Sequence, residues 1–342
     1  MVSGAWPLGW SIAIFVVAAA ATVACGVRLT ALGDALADRT GWGEALFGAV
    51  FFGLATSLSG IVMTGVSAAA GNAELAYGNA VGGIAVQTLA IVAADAAYRR
   101  VNLEHAAASV SNLMFGSLLT VLLSCALLAA FSPDVTVLGI HPASVVMVAL
   151  YVGGLKLIQD QHTPMWRAVR TRETKQDTPE EHGKLDGRRG ASLWAEFALI
   201  AAVVVVGGWA VARAAEGIVA ATGLSAGLVG ALFMGLANAL PETVTAVAAV
   251  RRGAITLAVA AVIGGNSLDA LNLVVGDIAF REGSLFHAAT RDELFLTGSA
   301  LLMTTVLVSG LLVRQRGGWW RLGFDGIILV AVYVTSVLVL AF

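Results

Sequence analysis

Apolar residues along the chain fall into long runs that are separated by short polar segments. A helix needs about 20 consecutive apolar residues to cross the hydrocarbon core of a bilayer. Ten runs of roughly this length lie at residues 9–27, 45–69, 76–97, 111–131, 136–157, 192–212, 225–249, 254–278, 294–313 and 322–341. The pattern therefore predicts an all-α polytopic membrane protein with ten transmembrane helices.

One long polar segment, residues 159–190, separates the first five runs from the last five. Its charged and polar composition is typical of a linker without a packed core. We therefore predict three parts: a first five-span unit over residues 1–158, a linker loop over 159–190, and a second five-span unit over 191–342.

Composition supports the membrane assignment. Hydrophobic residues make up 58% of the 342-residue chain, charged residues only 12%, and the mean hydropathy is +0.86. Soluble domains are about 45–50% apolar. The net charge of −2 argues against a nucleic-acid partner, because so few basic residues cannot form a basic binding face.

The distribution of basic residues predicts the orientation. If the N-terminus lies outside, the cytoplasmic loops contain 17 of the 20 lysines and arginines, and the outer loops contain only Arg213, Arg281 and Arg291. Cytoplasmic loops carry an excess of these residues. We therefore expect a protein of the plasma membrane with both termini outside and the 159–190 linker in the cytoplasm.

The two halves of the chain resemble each other. A shift of 182 residues places FFGLATSLSGIVMTGV (51–66) over FMGLANALPETVTAVA (233–248) without a gap, and the same shift places Asp95 on Asp277 and His105 on His287. Because each half has five spans, an odd number, the second half must be inverted in the membrane. Transporters with inverted repeats bind their substrates near the midplane, where the repeats meet.

The seventh run contains a proline and an acidic residue in an apolar surrounding. Pro241 cannot donate a backbone hydrogen bond, so we expect it to interrupt the helix and to free a carbonyl near Ala237. At helical spacing, Asn238, Glu242 and Thr245 form one polar stripe. Acids inside spans usually mark a functional site, so this stripe is a candidate for ion binding.

The eighth run contains a second polar stripe. Asn266, Asp269 and Asn272 are three residues apart and share one helix face, and the preceding glycines Gly264 and Gly265 permit a close approach of a neighbouring helix. Carboxylate, amide and carbonyl oxygens are the ligands of hard cations. The histidines and cysteines show no spacing that is typical of a zinc site. The two stripes therefore predict a site for a hard cation that contains Glu242 and Asp269.

The two matching segments, 51–95 and 233–277, resemble the alpha-repeats of the cation/calcium exchanger superfamily. In the second repeat, Leu240, Pro241 and Glu242 match one family signature, and Gly264, Asn266 and Asp269 match the other. In the first repeat, the matching positions are Thr56, Ser57, Leu58, the segment GNAELAYGN (71–79) and Gly82. The resemblance implies an antiporter whose cation site is formed by Glu242, Asp269, Asn238, Asn266, Thr56, Ser57 and Gln87.

The first repeat departs from the family pattern. Ser59 and Gly60 stand where the family has Pro-Glu, and Gln87 stands at an Asn/Asp position. Glu242 and Asp269 are therefore the only central acids, which together balance one divalent or two monovalent cations. We expect both to bind the cation and Glu242 to take up the counter-ion.

The resemblance implies a secondary antiporter that exchanges Ca²⁺ for Na⁺ or H⁺ without a resident cofactor, with inorganic cations and the lipid bilayer as partners. Oxygen ligands alone leave magnesium, manganese, sodium and potassium open. The missing first-repeat acid leaves a second hypothesis, a family member that has lost transport and acts as a sensor or structural subunit. An intramembrane aspartyl protease fits poorly, because Asp269 and Asp277 lie on one predicted span instead of facing each other from two.

Overall fold

The computed structural model describes residues 6–40, 57–98, 101–107, 109–160, 189–252, 255–318 and 322–342. Within these ranges the chain is helical, apart from turns and an isolated antiparallel bridge between Val137 and Ile140. The helices are α1 (Leu8–Thr40), α2 (Leu58–Ala69), α3 (Ala73–Ala97), α4 (Leu103–Ala106), α5 (Val110–Ala130), α6 (Pro142–Gln159), α7 (Gly190–Thr222), α8 (Ala226–Leu228), α9 (Gly235–Arg252), α10 (Ile255–Asp269), α11 (Asn272–Ala279), α12 (Arg291–Val313) and α13 (Phe324–Ala341). A π-helical segment, Val229–Met234, joins α8 to α9.

Nine helical segments of the described residues are long and apolar enough to cross a membrane. They correspond to nine of the ten predicted spans. The remaining predicted span, 45–69, is represented by the shorter apolar helix Ser57–Ala69, and its earlier part lies outside the described residues. The prediction of an all-α multi-pass membrane protein is confirmed.

Several predicted span ends differ from the helix ends. The first span was expected to end at residue 27, but α1 continues to Thr40. The extension packs on α7, because Leu32 and Leu36 are buried against Leu193. A helix can continue beyond the apolar run when one of its faces is covered in this way.

The inverted repeat is visible in the helix ends themselves. Helix α7 begins and ends 182 residues after α1, and α13 begins and ends 182 residues after α6. Helix α3 has the same relation to the pair α10 and α11, which together cover residues 255–279. The two halves therefore repeat one arrangement, as the sequence comparison predicted.

Hydrogen bonds at the two ends of the molecule follow the same shift. The backbone N–H of Leu103 donates to Asp95 Oδ1 at 2.6 Å, and the N–H of Leu285 donates to Asp277 Oδ1 at 3.0 Å. Both aspartates are buried, with exposed fractions of 2% and 0%. Each half thus fixes the loop after its third span with a buried carboxylate.

Helix α3, most of whose surface is buried, packs against α9 and the π-helical segment at the centre of the molecule. Glycines make this contact possible. A Cβ atom on Gly82 would lie 2.3 Å from the Cα of Ala231, and a Cβ on Gly235 would lie 2.8 Å from the carbonyl carbon of Gly82. Small residues allow such close approach between membrane helices, and here they bring the two central acids close to the first repeat.

Candidate functional site

The two predicted acids lie inside the protein. Glu242 is 7% exposed within α9, and Asp269 is fully buried at the last residue of α10. Helices α9 and α10 pack together, and the two carboxylates are close enough to interact electrostatically. A low-dielectric interior makes the repulsion between two such charges strong, so the state of one acid affects the other.

Neutral hydrogen-bond donors surround Asp269. Gln87 Nε2 donates to Asp269 Oδ2 at 2.6 Å, and Asn272 Nδ2 donates to Oδ1 at 3.2 Å. Ser57 and Asn238 lie near the same carboxylate. Hydrogen bonds to a charged group stabilise it by about 1.5–3 kcal/mol each. The protein therefore stabilises the charge of Asp269 without a bound cation.

Gln87 and Asp269 are equivalent positions of the two repeats, separated by 182 residues. They meet at the point where the halves face each other. Helix α3 continues through Gln87, whereas α10 ends at Asp269 and α11 begins at Asn272. At this equivalent position, the first half therefore has the hydrogen-bond donor Gln87 on an unbroken helix. The second half has the acid Asp269 where the helix is interrupted.

Glu242 is held differently from Asp269. Neither of its carboxylate oxygens has a hydrogen-bond partner among the described residues. Two further buried oxygens of predicted site residues, Gln87 Oε1 and Asn266 Oδ1, also lack a partner there. Buried polar atoms are nearly always satisfied, so several unsatisfied buried oxygens in one predicted site are what a hard cation or a proton would complete.

Asn238 occupies the space that the missing first-repeat acid leaves. Its Oδ1 accepts a hydrogen bond from Ser59 Oγ at 3.0 Å, and the side chain is fully buried. A Cβ on Gly60 would lie 2.7 Å from Asn238 Oδ1, and a Cβ on Gly83 would lie 3.0 Å from Nδ2. The glycines of the first repeat therefore make room for an amide from the second repeat.

Six of the predicted site residues are buried in this region: Glu242, Asp269, Asn238, Asn266, Ser57 and Gln87. Thr56 lies outside the described residues. The sequence interpretation missed Thr88, whose Oγ1 accepts a hydrogen bond from Asn266 Nδ2 at 3.1 Å. Its place next to Gln87 in the chain was the only signal that could have indicated it.

The predicted helix interruption at Pro241 is wrong. Helix α9 continues through Pro241, and membrane helices tolerate proline where neighbouring groups and local adjustments satisfy the freed backbone. The irregular backbone lies elsewhere, in the π-helical segment Val229–Met234 and between Asp269 and Asn272. Pro241 instead contacts α1, since a Cβ on Gly26 would lie 3.0 Å from the proline Cγ.

Across the ranges that the structure describes, no group of three or more histidine, cysteine, aspartate or glutamate side chains could hold a metal ion. A cation at this site would therefore depend on amide and hydroxyl oxygens in addition to the two carboxylates. Such a mixed set of oxygen ligands suits hard cations.

The chain matches the sequence profile of the family described as "Sodium/calcium exchanger protein" over residues 10–157 and 192–342. No curated protein matches the sequence.

Solved structures with a similar fold include the H⁺/Ca²⁺ exchanger CAX, with 14% sequence identity, coverage of 97% of this chain and 82% of that chain, and a TM-score of 0.72. Native YfkE has 15% identity, coverage of 96% and 91%, and a TM-score of 0.66. The sodium-calcium exchanger NCX_Mj has 17% identity, coverage of 96% and 98%, and a TM-score of 0.57. At these identities the similarity establishes the fold.

Proposed function

Because this chain belongs to the sodium/calcium exchanger protein family, we propose that it is a secondary active antiporter that exchanges Ca²⁺ or a similar cation for Na⁺ or H⁺. The observation that carries the proposal is the buried Glu242, whose two oxygens have no partner in the described structure, beside Asp269, whose charge is held by amide donors. An unpaired buried carboxylate is costly, and binding a cation or a proton removes that cost.

The unpartnered oxygens of the predicted site residues in the described structure favour a hard cation. Besides the carboxylate of Glu242, Gln87 Oε1 and Asn266 Oδ1 are buried and have no hydrogen-bond partner among the described residues. Both acids together balance the charge of one divalent cation, and the relatives named above as H⁺/Ca²⁺ and sodium-calcium exchangers support Ca²⁺ as the first candidate.

The two acids differ in their need for a counter-ion. When the cation leaves, Asp269 retains its hydrogen bonds from Gln87 and Asn272, whereas Glu242 has no hydrogen bond from the described residues to retain. Glu242 is therefore the group that must take up a proton or a sodium ion before the empty site can reorient. This difference provides the coupling between the two ions.

Helices α1 and α7 are the candidates for the moving part. They pack along each other, and Arg28 on α1 forms an ion pair with Glu196 on α7 at 2.7 Å. They approach the central helices at two equivalent glycines. Gly26 faces Pro241, and a Cβ on Gly208 would lie 3.2 Å from the carbonyl oxygen of Ser59.

The rest of the proposal concerns the setting of the protein. The protein lies in the plasma membrane with both termini outside. Its two units, residues 1–158 and 191–342, are joined by a cytoplasmic linker over 159–190. Its partners are inorganic cations and the lipid bilayer. We also propose transport rather than enzymatic activity, without a resident cofactor.

The test is cation flux in proteoliposomes with an imposed sodium or proton gradient across a panel of cations. We expect gradient-driven uptake of at least one cation by the wild type, and its loss in Glu242→Gln and Asp269→Asn. Equal flux in these variants and the wild type would remove both acids from the mechanism. No flux of any cation under either gradient would favour a member that has lost transport.

A further inference from the structure

Three acidic side chains gather at the end of the molecule where Asp95 lies. Asp95 lies in the last turn of α3, Glu104 lies in the short helix α4, and Asp325 lies in the first turn of α13. Their exposed fractions are 2%, 4% and 1%. None of them belongs to the central site, and acids that are buried so completely are rare unless they are paired.

The inverted repeat provides a comparison for this cluster. Asp277 is the counterpart of Asp95 at the other end, and the backbone N–H groups of Leu103 and Leu285 bind the two aspartates in the same way. The counterparts of Glu104 and Asp325 are apolar, however. By the shift of 182 residues they are Phe286 and Ala143, both buried.

The fold of the other half forms without acids at these two positions. Helix α6 begins and ends in register with α13 although Ala143 replaces Asp325, and Leu285 binds Asp277 as Leu103 binds Asp95 although Phe286 replaces Glu104. A buried acid costs free energy that a phenylalanine or an alanine does not. Glu104 and Asp325 are therefore present at one end only and are not needed for the repeated fold. A functional role would explain why buried acids occupy these positions.

The side chains of Glu104 and Asp325 lie within hydrogen-bonding reach of each other. Asp325 and the residue before Glu104's helix, Asn102, converge beside Gly323, since a Cβ there would lie 2.2 Å from Asp325 Oδ1 and 3.0 Å from Asn102 Nδ2. A hydrogen bond between two carboxyl groups requires a proton on one of them. Glu104 Oε2 and Asp325 Oδ2 accept no hydrogen bond from a donor in the described part of the chain, and the amide nitrogen of the buried Asn102, Nδ2, has no acceptor there. The pair is therefore arranged to hold a proton.

Other charged and titratable groups lie around the pair. Asp95 adds a further negative charge from α3 and interacts with both acids. His105 follows Glu104 in α4. Its Nδ1 contacts the carbonyl oxygen of Arg314 at 2.8 Å, and the Arg314 guanidinium donates to the carbonyl of His105 at 3.0 Å.

Arg316 contributes its backbone, because its carbonyl accepts the N–H of Asn102 at 3.3 Å. The segment after α12 thus binds the backbone around α4, and the acidic pair joins α4 to α13.

We propose that Glu104 and Asp325 form a proton-binding site at the Asp95 end of the molecule, separate from the central site, and that the bound proton holds α4 against α13. Loss of the proton places two or three negative charges together in a buried space, so the contact between α4 and α13 loosens. Helix α3 contains both Asp95 and Gln87. A change in packing at the Asp95 end can therefore shift α3 and reach the central site through this helix.

The sign of the pH effect follows from the environment of Glu104. Burial raises the pKa of Glu104 well above its usual range, and the nearby charges of Asp325 and Asp95 raise it further. In the unfolded chain the pKa returns to about 4.3. The folded protein therefore binds the proton more tightly, and this stabilisation is lost as the pH rises toward the folded-state pKa.

The first experiment is the thermal unfolding of the purified protein in detergent at a series of pH values. We expect the melting temperature of the wild type to fall by several degrees as the pH rises above about 5, and we expect Glu104→Gln to show a clearly smaller fall. A wild-type melting temperature that does not fall with pH, or an equal fall in Glu104→Gln, overturns the proposal.

The second variant copies the other end of the molecule. The double substitution Glu104→Phe and Asp325→Ala introduces the residue types of the equivalent positions Phe286 and Ala143, both of which are buried at the other end. We expect this variant to fold and to lose the same pH dependence, so it tests the proposal even if Glu104→Gln fails to fold. Retention of the wild-type pH dependence would contradict the site.

The consequence for transport rests on the proposed antiport and is measured separately in proteoliposomes. We expect the exchange rate to respond to pH on the side of the membrane that the Asp95 end faces, and this response to be lost in Glu104→Gln. An identical pH response in both proteins overturns the regulatory link. Absence of exchange in every protein contradicts the antiport instead, and the unfolding experiment still decides the proton site.

Discussion

Replacing Glu242 by glutamine should have opposite effects on cation binding and on the stability of the empty protein. The substitution retains the shape of the side chain and removes its charge. In the cation-bound protein, it removes one of the two acids that balance the ion. In the empty protein, it removes a buried carboxylate whose two oxygens have no partner in the described structure.

The magnitude of the loss in affinity follows from the surroundings of the two acids. Removing one partner of a buried ion pair costs about 3–5 kcal/mol, which corresponds to a roughly 100- to 4,000-fold weaker affinity at about 1.4 kcal/mol per factor of ten. We expect the upper half of this range, because the amides of Gln87 and Asn272 already hold the charge of Asp269. Glu242 therefore supplies most of the attraction for the cation.

The gain in stability has a different source. A buried group without a hydrogen-bond partner costs about 1–3 kcal/mol, and the cost is larger for a charged group than for a neutral one. The cation-free Glu242→Gln protein should therefore unfold at a higher temperature than the wild type at neutral pH. A site residue whose removal stabilises the empty protein is typical of a functional position.

The assay is titration of the purified protein with the transported cation, followed by isothermal calorimetry or by the rise in melting temperature. Glu293→Gln is a matched control, since Glu293 is a buried glutamate of a spanning helix whose carboxylate accepts hydrogen bonds from Thr290. We expect the control to retain the wild-type cation affinity. An affinity of Glu242→Gln within about threefold of the wild type, a difference under 1 kcal/mol, would refute the reasoning.

Three further predictions concern other parts of the structure. Gln87→Glu should add a negative charge beside Asp269. The empty site should then take up one more counter-ion charge per transport cycle. Reversal potentials in proteoliposomes would show this as a changed exchange stoichiometry. Gly82→Ala should destabilise the protein by about 1–3 kcal/mol, because the added Cβ would meet the backbone of Ala231. Gly298→Ala is the control and should not destabilise it, because the space at its Cβ is open. The melting temperatures of the two variants in detergent test this difference. Between the unfolded and folded pKa values of Glu104, the free energy of unfolding should fall by up to about 1.4 kcal/mol per pH unit, and a flat denaturation profile against pH would contradict this.

Much of the architecture could be predicted from the sequence because the bilayer imposes simple rules. Apolar runs must be long enough to span it, and every backbone polar group inside it must be satisfied, so helices follow from composition and length. The repeat was equally accessible, since a single shift aligned the two halves. Glu242 and Asp269 were identifiable because acids in apolar runs are rare.

The interruption at Pro241 could not be predicted correctly from local chemistry. Proline removes a backbone donor, but the neighbouring helices decide whether the helix breaks there, and α9 continues through it. The actual irregularity between Asp269 and Asn272 carries no proline. Contacts distant in sequence, such as the approach of Gly26 to Pro241, decided these local conformations.

The sequence is sufficient to predict that the chain forms inverted halves in a membrane, with two acids near their meeting point and no central acid from the first repeat. The packing of the helices, which the sequence does not reveal, gives the two acids different hydrogen-bond surroundings. Gln87 meets Asp269 across 182 residues of chain and stabilises its charge, while no side chain in the described structure reaches the oxygens of Glu242. The free energy of a buried charge depends on the donors around it in space, and their arrangement is fixed only when the two repeats pack together.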